Sequence, residues 1–120
     1  MKLMDEQLAY QSKSYRRPVI LLIENDIDLA LVVAATLEDA GYSCHTIYHT
    51  HDIISLIELH QPKLVIVDYL LPQVNGGELC SSIKEHTQYQ LLPVIIYSAY
   101  PRVFHSLGNY KCDKFISKPF

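Results

Sequence analysis

The stretches Val19-Ile20-Leu21-Leu22-Ile23 and Leu64-Val65-Ile66-Val67 are short and apolar at every position, and Val94-Ile95-Ile96-Tyr97 predicts a further strand. Runs of four or five residues, rich in β-branched side chains and without polar alternation, mark strands buried on both faces, which belong to parallel sheets covered by helices. Between the runs the apolar period lengthens. Over 28–40, Leu29, Ala30, Val32, Val33, Leu37 and Ala40 follow a helical pattern, and Gly41 stands where helices commonly end in a left-handed residue. Residues 42–48 alternate in part and predict a second strand, followed by a helix over 52–59 capped by Thr50 and stopped by Pro62. Pro72, Asn75, Gly76 and Gly77 mark a loop before a helix over 78–86, and a weaker helical segment over 102–107 precedes a short fifth strand at Phe115-Ile116. Strand and helix alternate throughout, which specifies an open α/β fold with a parallel sheet and right-handed crossovers.

The 120 residues suit one domain, read as 18–120, preceded by a polar, mixed N-terminal extension over 1–17. With 49% hydrophobic and 19% charged residues, the chain is neither disordered, collagenous nor coiled coil. The formal charge is -3, and the ten Lys and Arg are scattered apart from Arg16-Arg17, so the chain is not expected to grip nucleic acid directly. Cys44, Cys80 and Cys112 form no CxxC pair and read as structural thiols rather than a disulfide framework or zinc site. No apolar run approaches the ~18 residues of a membrane span. Asp5, Glu6 and Gln7 interrupt any signal-peptide core after Lys2, so a cytoplasmic protein with no membrane partner is expected. His49 and His51 lack a third ligand and read as a solvated loop pair, and the nine tyrosines as edge and surface packing.

Ligands of open parallel sheets bind outside the carboxyl ends of the strands, where the winding direction reverses. Glu24-Asn25-Asp26 follows the first predicted strand, Asp68 the third, Ser98 the fourth and Lys118 the fifth. Oxygen ligands without thiol or imidazole suit a hard cation such as Mg²⁺, which keeps water or phosphate oxygens in its remaining positions. A carboxylate can also accept a phosphoryl group as an acyl phosphate, with metal and lysine offsetting charge on the phosphoryl oxygens. Asp68, at the end of the most central-looking strand, is the natural acceptor.

These residues resemble a known family, the receiver domains of bacterial two-component response regulators. Val19-Ile-Leu-Leu-Ile-Glu-Asn-Asp resembles the family's first strand and acidic cluster, and Leu64-Val-Ile-Val-Asp-Tyr-Leu-Leu-Pro its phosphoacceptor strand and loop. Ile95-Ile-Tyr-Ser-Ala resembles the switch-hydroxyl strand, and Phe115-Ile-Ser-Lys-Pro-Phe the lysine before a proline. The resemblance covers about 19–120. It implies a flavodoxin-like five-stranded sheet of order 2-1-3-4-5 with helices on both faces. It makes Asp68 the phosphoacceptor, Ser98 the switch hydroxyl, Phe115 the switch aromatic and Lys118 the phosphate-contacting lysine. Glu24, Asn25 and Asp68, with the backbone carbonyl of Leu70, become the metal side. The implied partner is a sensor histidine kinase or phosphotransfer protein, with a homodimer as a further candidate. The implied activity is self-catalysed phosphotransfer and dephosphorylation, not that of a conventional enzyme.

Three departures qualify that picture. Asn25 can coordinate through its amide oxygen but brings no charge, so Mg²⁺ binding is expected to be weak. The stretch between Ser98 and Lys118 is short, and Tyr100-Pro101 with Gly108 make a poor helix. The final helix is expected to be absent, which would leave an apolar strip beside the fifth strand for residues 3–15, with Leu3, Met4, Leu8 and Tyr15, or a second chain to cover. Asn25 also supports an alternative, a pseudo-receiver that binds partners without being phosphorylated. An Asp-nucleophile phosphatase of the haloacid-dehalogenase type would want a second Asp two residues after the first, where Leu70 stands. A flavin-binding flavodoxin would want a phosphate-cradling loop where Glu24-Asn25-Asp26 stands.

Overall fold

In the computed structural model, which describes residues 16–99 and 112–118, five strands lie parallel: β1 (Val19–Ile23), β2 (Ser43–Ile47), β3 (Leu64–Asp68), β4 (Val94–Ser98) and β5 (Lys114–Ser117). Helices α1 (Ile27–Asp39), α2 (Ile53–His60) and α3 (Gly76–Glu85) connect them. The sheet order is β2-β1-β3-β4-β5. Chain direction across the sheet therefore reverses at β1, which pairs with β2 on one side and β3 on the other. A final helix is not among the described elements. The extension over 1–15 and the helix expected over 102–107 lie outside the described residues.

The uninterrupted apolar runs follow from a sheet with two covered faces. Leu21, Ile23, Val65, Val67 and Ile96 pack with Ile53 and Ile57 of α2 and Leu79, Cys80 and Ile83 of α3. Their pleat neighbours turn the other way, where Leu22 and Tyr97 meet Ala30 and Val33 of α1. Strand side chains alternate between faces, so a strand buried on both sides has no polar position.

Each helix start has a side-chain cap. Asp26 Oδ1 accepts from the Leu29 N–H at 3.1 Å, and Asn75 Oδ1 accepts from the Glu78 N–H at 2.8 Å. At α2 the expected cap is corrected: Asp52, not Thr50, accepts from the Ser55 N–H at 3.1 Å, while Thr50 Oγ1 accepts from the Asp52 N–H at 3.0 Å. Asp52 stands directly before the first helical residue, so its carboxylate reaches the N3 amide, while Thr50, two positions earlier, lies outside the helix. At the far ends, Gly41 has φ +102° and Gln61 closes α2 at φ +49°, just before Pro62. The third helix begins at Gly76, two residues before its expected start, because Asn75 already caps it.

One ion pair locates β5. Lys84 Nζ, at the end of α3, lies 2.5 Å from Asp113 Oδ2 and donates to the Leu92 carbonyl at 2.7 Å. Asp113 Oδ2 also accepts from the Val94 N–H at 2.7 Å. This cross-brace joins α3, β4 and the start of β5, and so sets where Lys118 emerges.

Candidate functional site at the carboxyl edge of the sheet

The strand-end residues converge where β1, β3, β4 and β5 finish. Asp68 is the last residue of β3 and Ser98 the last of β4; Glu24 and Lys118 directly follow β1 and β5. Glu24 is fully buried, Ser98 almost so, and Asp68 keeps 6% exposure.

Lys118 is the hub. Its Nζ lies 2.8 Å from Glu24 Oε1 and 3.2 Å from Asp68 Oδ2, and 4.2 Å above the centre of the Tyr97 ring. Its backbone N–H donates to the Ser98 carbonyl at 2.8 Å, which ties the lysine to the end of β4. Glu24 Oε1 also accepts from the Tyr97 hydroxyl, and Glu24 Oε2 from the Asp26 N–H at 3.1 Å. A buried carboxylate is tolerated when paired and hydrogen-bonded in this way. Burial works against ionisation of Glu24, yet Lys118 and then Tyr97 outweigh it and hold the carboxyl below its usual range. Asp68 is less well supplied. Its Oδ1 accepts from the Leu70 N–H at 3.2 Å, but burial, followed by the neighbouring Glu24, pushes its pKa up to about 6 against the opposing pull of Lys118.

Asn25, Asp26 and Leu70 stand at the exposed rim above this cluster. Phe115 pairs with Ile96 and packs half-buried on the face covered by α2 and α3, opposite Tyr97. Among the described residues no group of three or more His, Cys, Asp or Glu is placed to hold a metal ion, and His49 and His51 join none. A hard cation such as Mg²⁺ needs only one or two carboxylates, the rest of its shell being water, amide, carbonyl or phosphate oxygens. Asp68, Glu24, the Asn25 amide and the Leu70 carbonyl are the oxygen donors that would hold such a cation. Two crowded carboxylates served by one lysine are also a place where added positive charge is favourable.

Two contributors escaped sequence reasoning. Tyr97 was expected to pack at an edge or surface; instead it is fully buried and its hydroxyl reaches Glu24. Its place directly before Ser98, inside an otherwise aliphatic strand, was the only available signal. Gly76 was read as a loop marker, but a Cβ there would lie 2.3 Å from the backbone oxygen of Asp68. Only glycine lets α3 start this close to the end of β3, and the Gly76 N–H donates to the Tyr69 carbonyl at 2.8 Å.

Comparison with known proteins fits this geometry. The response regulator Rre1 of Synechocystis sp. is 31% identical over 104 residues, covering 84% of this chain and 45% of the relative. The chain spans about half the length of the curated relatives it matches. Among solved structures, the signal receiver domain of a signal transduction histidine kinase from Syntrophus aciditrophicus aligns with a TM-score of 0.75 at 30% identity, over 86% of this chain and 80% of that one. A Thermotoga maritima response regulator, solved in complex with Mg(2+)-BeF, shares the fold with a TM-score of 0.77 at 20% identity, over 86% and 88%. The family model for the response regulator receiver domain matches residues 20–120, and with its sheet order and strand-end cluster this chain belongs to that family of two-component signalling domains.

Proposed function

We propose that this receiver domain takes a phosphoryl group on Asp68 from a sensor histidine kinase or a phosphotransfer protein. The observation that carries the reading is Lys118 Nζ bridging Asp68 and Glu24 at the point where the sheet's winding reverses. In the transfer, a carboxylate oxygen of Asp68 attacks phosphorus while the donor's imidazole nitrogen leaves. Lys118 is within reach to offset charge on the phosphoryl oxygens, and the Leu70 N–H holds Asp68 Oδ1 in place. Ser98, at the end of the adjacent strand, is the hydroxyl nearest in topology to the new phosphoryl group, and Phe115 on β5 the aromatic residue that responds to it. Mg²⁺ held by Asp68, Glu24, Asn25 and the Leu70 carbonyl would neutralise phosphoryl charge and orient the transfer. The Thermotoga protein of the same fold was solved in complex with Mg(2+)-BeF, which favours Mg²⁺ as the cation. In this reading the domain's chemistry extends to its own dephosphorylation but not to turnover of a separate substrate.

Intact-mass analysis after incubation with a small phosphodonor and Mg²⁺ tests this. One phosphoryl group should add to the wild type and none to Asp68→Asn. Asn25 favours a second reading, a pseudo-receiver that binds partners or a second copy without phosphorylation, because an exposed amide brings no charge to the metal. Wild-type protein that gains no mass even at high Mg²⁺ concentration supports that reading.

A further inference from the structure

Lys118 serves two carboxylates at once. Its Nζ stands 2.8 Å from Glu24 Oε1 and 3.2 Å from Asp68 Oδ2, so the nearer partner is the one that takes no part in the covalent step. A phosphoryl group on Asp68 would bring new negative charge beside Nζ and draw the ammonium toward it. Glu24 would then lose its cation while fully buried, and a buried carboxylate stripped of its partner is strongly destabilising. Another group has to hold Glu24 when the lysine turns away.

We propose that Tyr97 is the positioning residue that does this: its hydroxyl keeps Glu24 in place while Lys118 moves to the phosphoryl group on Asp68. The proposal rests on Asp68 being the acceptor. The Tyr97 hydroxyl donates to Glu24 Oε1, the same oxygen that Lys118 contacts, so the lysine can leave without orphaning it. Glu24 Oε2 is held separately by the Asp26 N–H at 3.1 Å. Lys118 Nζ also lies 4.2 Å from the centre of the Tyr97 ring, so the ammonium shifts across an aromatic face and not across bare hydrocarbon. The tyrosine itself is fixed. Its backbone pairs in register with Asp68 on one side and Ile116 on the other, and its carbonyl accepts from the Tyr69 N–H at 2.9 Å. Its side chain is fully buried against Leu22 of β1 and Ala30 and Val33 of α1. That packing needs only an apolar side chain; the hydroxyl serves Glu24. Burial and then Glu24 push the phenol well above its usual range, so the hydroxyl stays a donor. With Lys118 in place Oε1 has two donors, and once the lysine has moved Tyr97 carries the larger share. Tyr97 therefore stabilises the phosphorylated state more than the unphosphorylated one.

Beryllofluoride, a mimic of the phosphoryl group, tests the proposal on the full chain with Mg²⁺ present, followed by fluorine NMR of the bound anion. Tyr97→Phe keeps the ring beneath Lys118 and removes only the donor. The variant should need about tenfold more beryllofluoride for half-saturation, within the worth of a hydrogen bond to a charged group. Its Mg²⁺ affinity without beryllofluoride should change far less, because Lys118 then stays on Glu24. In wild type labelled with carbon-13 at tyrosine Cζ, beryllofluoride should move the Tyr97 signal toward that of a phenolate as the hydroxyl takes the larger share of Glu24. Equal loss of both affinities, the result of a merely misshapen site, overturns the proposal. So does a wild-type Cζ signal that stays in place. Tyr97→Phe that binds beryllofluoride as wild type does overturns this proposal alone, whereas wild type that binds none overturns the acceptor role of Asp68 and this proposal with it.

Discussion

Replacing the phosphoacceptor candidate should stabilise the domain when no metal is present. Asp68 carries its raised pKa only in the folded protein, where burial and the adjacent Glu24 move it from an ordinary 3.8 to about 6. The folded state therefore holds this proton more tightly than the unfolded chain. Stability from this group is full below the unfolded value and is lost as pH rises through about 6. Fully expressed, that difference corresponds to roughly 3 kcal/mol; the proton is shared with Glu24, so about 2 kcal/mol is a sounder working figure. Asp68→Asn removes the titration, and Lys118 keeps its 2.8 Å partner in Glu24. Thermal denaturation with a chelator present should show the variant melting on the order of 8 °C above wild type near pH 8. The gap should close toward pH 4. Adding Mg²⁺ should raise the wild-type midpoint and leave the variant nearly unmoved. A gap of the same size at both pH values would refute the reasoning, because it would trace to packing or hydrogen bonding and not to the ionised carboxylate.

Asn25→Asp should tighten Mg²⁺ binding by on the order of a few kcal/mol before desolvation is subtracted, read by titration calorimetry; equal affinity in the two proteins would remove Asn25 from the metal side. Tyr97→Phe takes a hydroxyl donor from buried Glu24 while keeping the ring under Lys118, and should cost about 1.5–3 kcal/mol in urea unfolding, the range for hydrogen bonds to charged groups. An unchanged midpoint would mean that Lys118 alone satisfies the carboxylate. Gly76→Ala forces a methyl group against the backbone of Asp68 and should cost roughly 1–3 kcal/mol with a loss of phosphodonor labelling, whereas a fully labelled, equally stable variant would show that α3 can retreat from β3.

The strand core was legible in the primary structure because its signal is local. Val19 to Ile23 can be apolar throughout only if both faces of the strand are covered, and that requirement selects a parallel sheet with helices on each side. Glu24, Asp68, Ser98 and Lys118 were legible for a related reason, since a parallel sheet sends every strand's carboxyl end to the same edge. Helix starts were less certain: at Asp52 and Thr50 two competent caps stand two residues apart, and which one meets the free N–H depends on backbone path. Tertiary structure alone decided the rest. Tyr97 and Glu24 are 73 positions apart, and no local pattern says that this tyrosine's hydroxyl supports that carboxylate. The ionisation of Asp68 is equally non-local, because the shift to about 6 arises from burial and from Glu24 at the end of another strand, against the opposing pull of Lys118 at the end of a third. Gly76 looks like any turn glycine until the backbone of Asp68 is found 2.3 Å from where its Cβ would be. Periodicity along a chain reports which faces are covered, but distances between strand ends exist only after the sheet has closed around them.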